Sequence, residues 1–148
     1  MPERETLERA RRDKAEGKAP TTQAGEFIRE EMHHIREGKH GARNPKQAIA
    51  IGLSKARRAG VKLPPPRKGT TSERTRRQAQ RAYRQGKRAS SRRPNPRRSR
   101  ATLKALKREG RWAASRPALS RQTRTAARRR SPQERSRSAR RAVRTKRS

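Results

Sequence analysis

Five residues in the stretch GEFIREEMHHIREGKHGARNPKQAIAIGLSKARRAGVKL have side chains able to hold a metal or move a proton: Glu30, His33, His34, Glu37 and His40. On a helix His33 and Glu37 stand at i and i+4, as do Glu30 and His34, and zinc sites use such spacings. His33 and His34 are adjacent, however, and so point roughly 100° apart. The chain has no cysteine to complete a ligand set. Polar pairing along the helix, with histidine charge beside the turn that follows, accounts for the pattern more simply. No metal, cofactor or catalytic residue is expected. There is also no Ser/His/Asp order, no glycine-rich phosphate loop after a strand and no buried carboxylate pair in view, so the expectation is a protein that is not an enzyme.

Arginine offers a different chemistry. The net charge is +34 over 148 residues. Residues 1–66 hold 15 Lys/Arg against nine acids, whereas residues 67–148 hold 31 against Glu73, Glu109 and Glu134 alone. Guanidinium groups bind phosphate bidentately and enter narrow minor grooves. A charge of this size calls for a polyanion. A membrane surface would need an apolar face opposite the charge, which the basic half lacks, so nucleic acid is the expected partner and no membrane is. The candidate contacts are Lys39, His40 and Arg43 in a turn and Lys55, Arg57 and Arg58 at a helix end. In the arm they are Arg76, Arg77, Arg81, Arg84, Arg92, Arg93, Arg97, Arg98, Arg128, Arg129 and Arg130. SRRPNPRR lacks the Gly-Arg-Pro core of a minor-groove hook and reads as an extended basic linker. Tyr83 and Trp112 are isolated aromatics that either stack on bases or anchor short helices.

The elements that must position these groups are short. Hydrophobic residues make up 26% and charged residues 39% of the chain, against roughly 45–50% and about 25% in globular proteins. That balance predicts disorder over much of the length. The large aliphatic residues gather between Gly25 and Leu63. There Thr22 caps an expected helix over 23–37 closed by Gly38, and Asn44-Pro45 opens another closed by Gly60. Ile28, Met32 and Ile35 share one face of the first, with Phe27 and Glu31 bordering it; Ile49, Leu53 and Ala56 line the second. Ala48, Gly52 and Ala56 form a stripe of small residues. Residues 2–16 read as a frayed or partner-dependent helix with little but Leu7 to pack. In the basic half, weaker helices are expected over 73–85, ended by Gly86, over 103–109 behind Thr102, and from the capping box Ser131-Pro132-Gln133-Glu134 toward Val143. The expected fold is mostly α: a small helical hairpin with extended, largely disordered Arg-rich regions containing short helices. Its parts are a charged segment 1–20, a helix-turn-helix-like hairpin 21–63, a Pro-rich linker 64–69 and a basic arm 70–148.

The run from Gly25 to Pro66, ending in VKLPPP, resembles a family of small, highly basic bacterial proteins with a domain of unknown function, commonly labelled DNA-binding. ERARRDKAEGK before it, and TSERTRRQAQRAY, LKREGR and ALSRQ after it, extend the likeness loosely. The resemblance implies a bacterial cytoplasmic protein and carries over no catalytic residue. The N-terminus, with no apolar run and with Glu3, Glu5, Glu8, Asp13 and Glu16, reads as neither secretory signal nor transit peptide. The expected function is largely sequence-nonspecific DNA binding in the nucleoid. The alternatives are an RNA- or ribosome-associated protein, and an adaptor or homodimer that uses the hairpin's Ile49, Leu53 and small stripe.

Overall fold

Proline and a polar cap set where most of these helices begin. The computed structural model describes residues 2–88 and 95–147, and every regular element among them is helical. They are α1 (Arg4–Ala15), α2 (Pro20–Arg36), α3 (Pro45–Arg58), α4 (Glu73–Lys87), α5 (Pro96–Lys107), a single 3-10 turn (Trp112–Ala114), α6 (Arg116–Arg128) and α7 (Pro132–Arg147). Pro20, Pro45, Pro96, Pro117 and Pro132 occupy the first or second helical position, where a missing N–H costs nothing. Asn44, Ser72, Asn95 and Ser115 each accept from a backbone N–H one turn in, at 2.9 to 3.3 Å. Ser131 and Glu134 form the expected reciprocal box, at 3.1 and 3.2 Å.

The differences from expectation have physical causes. Helix α2 starts at Pro20 rather than after Thr22, because the fixed φ of proline already suits the first turn. Helix α5 starts at Asn95-Pro96, inside the stretch read as linker, and Thr102 merely donates back to the Arg98 carbonyl at 2.9 Å. Helix α6 was not expected at all. The Arg-rich half, expected to be extended and largely disordered, is helical over most of its described length. Its alanine, leucine, arginine, lysine and glutamine are all good helix formers.

Helices α2 and α3 form the expected hairpin, but it is not self-contained. A Cβ on Gly52 would lie 2.8 Å from the Ile28 Cα, so the small stripe of α3 is filled by α2. One cluster joins Phe27 and Ala24 of α2 to Ala56 and Val61, with Ala10 and Leu7 of α1 against them; α1 is therefore packed through small residues. The other joins Met32 and Ile35 to Ala48 and to Ala113 and Ala114, with Leu119 of α6 alongside. Phe27 and Ile35 are fully buried, and each contributes on the order of 1.5–3 kcal/mol.

Helix α4 lies along α3 through Ala79 and Ala82. Gly86 does not end it. A Cβ there would sit 1.8 Å from the Arg57 carbonyl oxygen, so glycine is required by the approach of α3. Gly41 plays the same part at the turn, donating to the Leu106 carbonyl at 2.9 Å, while Ala42 donates to Gly110 at 3.2 Å. Arg36 Nε donates to the Ala114 carbonyl at 3.0 Å. The Arg-rich half thus closes the core of the N-terminal half.

Candidate nucleic-acid interface

Helices α5 and α6 carry nine Lys/Arg and no acid; α4 and α7 carry six and seven, each with one glutamate. Their basic side chains are exposed apart from Arg76, which is half-buried and held to Glu73 at 3.2 Å. No described side chain of α7 is buried. Trp112 is 54% exposed, with the Arg121 guanidinium 5.4 Å above its ring. Tyr83 carries Lys87 at 4.8 Å. Both rings anchor basic side chains by cation–π contact.

The candidate contacts divide. Lys39, Arg43, Arg58, Arg77, Arg81, Arg84, Arg97, Arg98, Arg128, Arg129 and Arg130 are exposed. Arg92 and Arg93 lie outside the described residues. Three of the group turn inward instead. Arg57 is buried, with Nε donating to the Leu63 carbonyl at 3.1 Å and Nη2 to that of Pro64 at 3.3 Å. It folds the chain after Gly60 back along α3, and burial lowers the guanidinium's pKa. Lys55 reaches between Glu30, at 3.5 Å, and Glu31. His40 Nε2 lies 3.0 Å from Glu31 Oε2.

The acids on the other side of this grouping are buried. Glu31 is fully enclosed and Glu30 is 3% exposed. Glu30 Oε1 accepts the backbone N–H of Glu3 at 2.5 Å, tying α1 to α2. The Glu3 carboxylate faces His34 Nε2 at 2.9 Å and Lys39 Nζ at 3.3 Å. Hydrogen bonds from His34 and then from Lys39 hold the Glu3 pKa below its ordinary value. Glu37, at 3.2 Å, and then Glu3 raise that of Lys39. Sequence reasoning placed Glu31 at the border of the apolar face and did not single out Glu3. The signal for Glu31 was its phase: Phe27, Glu31 and Ile35 are spaced at i, i+4 and i+8, so the acid sits in the line of the core.

Residues 21–68 match the model of a family of unknown function, DUF6496. No curated protein and no solved structure matches the chain. The DUF6496 segment takes in α2, the turn, α3 and the three prolines, and so contains Glu30, Glu31, His34, His40 and Lys55. Glu3, Ala113, Ala114 and Leu119, which complete the packing around it, lie outside the matched segment. No helix among the described residues is long and apolar enough to cross a membrane.

Proposed function

We propose that this is a non-enzymatic, largely sequence-nonspecific DNA-binding protein of the bacterial nucleoid. The observation that carries the reading is the separation of charge. Nine of the 12 acids lie before residue 67, where Glu3, Glu26, Glu30 and Glu31 are engaged by cations of the same part of the chain. The basic helices α5 and α6 carry no acid to offset their exposed arginines. Paired acids no longer repel phosphate, and exposed guanidiniums attract it without regard to base sequence. The resemblance to basic bacterial proteins labelled DNA-binding points the same way. Helix α7, whose described side chains are exposed, is read as lying along the phosphates.

If about ten basic side chains each neutralise one phosphate, the logarithm of the association constant falls against log salt with a slope of about −9. Replacing Arg97, Arg98, Arg100, Arg128, Arg129 and Arg130 by glutamine should make that slope shallower by about five, with far-UV circular dichroism unchanged. An unchanged slope and affinity would overturn the assignment. Competition between duplex DNA and structured RNA at one salt concentration identifies the polymer; preference for RNA places the protein with RNA-binding proteins instead.

A further inference from the structure

Beside the basic surface, and unused by it, lies the group Glu31, His34 and His40. His40 Nδ1 lies 3.0 Å from the Gly41 carbonyl, which only accepts, so Nδ1 carries the proton. In the neutral ring the lone pair is then on Nε2, and Nε2 is 3.0 Å from Glu31 Oε2. Two lone pairs at that distance repel unless a cation lies between them. Glu31 is fully buried and neither of its oxygens accepts a hydrogen bond of good geometry among the described residues; its close neighbours are Lys55 Nζ, at Oε1, and His40 Nε2, at Oε2. His34 stands at i+3 from Glu31 on α2, its ring centroid 6.0 Å from that of His40. The ligand atoms of Glu31, His34 and His40 lie within 4.8 Å of one another, and those of Glu3, Glu30 and His34 form a second, overlapping group.

We propose that Glu31, His34 and His40 form a binding site for a divalent metal cation of the zinc class. Imidazole and carboxylate suit such an ion, with bonds of about 2.0–2.2 Å, so two ligand atoms on one ion stand roughly 2.8–3.1 Å apart at a right angle and roughly 3.3–3.6 Å at a tetrahedral one. The Nε2–Oε2 distance of 3.0 Å falls in the first range, and side-chain rotation within the 4.8 Å grouping would bring His34 to the same ion. The Gly41 carbonyl serves as the outer partner that fixes the ring and its tautomer, as metal-binding histidines require. Glu3, half exposed, stands at the mouth beside His34 as a further oxygen donor. The surrounding charge is favourable: Glu3, Glu30 and Glu31 outnumber Lys39 and Lys55. An ion there would join α2 to the turn at the place where Gly41 and Ala42 bind the basic half.

The test is titration of the full chain with Zn²⁺, and with Co²⁺ as a spectroscopic probe, in the absence of nucleic acid, so its outcome is independent of DNA binding. The expected result is one saturable site, with visible Co²⁺ bands that Zn²⁺ removes and a rise in melting temperature on loading. His34→Gln and His40→Gln should each weaken binding by roughly tenfold or more. His33→Ala, exposed on the other side of α2, should leave it unchanged. Far-UV circular dichroism checks the fold of each variant; if His40→Gln loosens the turn, His34→Gln decides. Absence of a saturable site, or equal loss in His33→Ala, would overturn the proposal. The second result would make binding mere surface capture.

Discussion

Lys55 is the residue on which the buried acids depend. It is 19% exposed and is shared between Glu30 and Glu31. Removing one partner of a buried ion pair leaves an uncompensated charge. Lys55→Met should therefore cost on the order of 3–5 kcal/mol by urea melts, and adding Glu31→Gln should restore a large part of it. An additive double mutant would mean that Glu31 does not need its cation. Glu3 makes a pH-dependent contribution at the surface. Its pKa is lower in the folded chain than in the unfolded one, chiefly through His34. The stability it adds is thus complete above the ordinary glutamate pKa and fades as pH falls through the lower folded value. Glu3→Gln should flatten that part of the acid-side fall in melting temperature, followed by scanning calorimetry from neutral pH down through the carboxylate range. Neither residue's partner was legible in the sequence. Glu3 and His34 are 31 positions apart, and only the packing of α1 on α2, through Thr6, Ala10 and Leu7, brings them together. Alanine and threonine give a weak periodic signal, which is why α1 reads as frayed from its sequence.

At the scale of elements, the sequence was most informative where a cap and a proline coincide. Asn44-Pro45 and Ser131-Pro132-Gln133-Glu134 gave the right helix starts because both the hydrogen bond and the φ angle are local. Asn95-Pro96 carried the same signal but sits amid arginines that suggested loop. Glycine was less legible. Gly38 and Gly60 take positive φ, 78° and 95°, as terminators do, whereas Gly86 lies within α4 because of a neighbour 29 positions earlier. Its substitution separates the two readings. By helix propensity alone Gly86→Ala would add about 1 kcal/mol of stability. The overlap with the Arg57 carbonyl reverses the sign, and a loss of about 1–3 kcal/mol is expected in chemical denaturation.

For the whole molecule, charge and packing act against each other. The N-terminal half, itself net positive, supplies the helices that form the core, and the more basic C-terminal half supplies Ala113, Ala114 and Leu119 to cover it. Folding therefore brings like charges together, and dissolved salt screens them over roughly 8–10 Å at physiological strength. The same salt weakens phosphate contacts. Melting temperature should rise with sodium chloride while DNA affinity falls, a pair of opposite slopes read by thermal melts and by equilibrium binding on one preparation. A melting temperature that fell with salt would mean that ion pairs such as Lys55–Glu31 outweigh the repulsion.

The bond from Arg36 to the Ala114 carbonyl spans 78 residues. Closing a loop of that length costs on the order of 4 kcal/mol in chain entropy before the contact gives anything back. During synthesis α1, α2 and α3 emerge well before their lid, leaving the Met32 and Ile35 side uncovered. A polyanion that neutralises the arginines as they emerge would lower the repulsion opposing closure. Under the function proposed above, nucleic acid would act in the folding of the chain as well as on the finished protein.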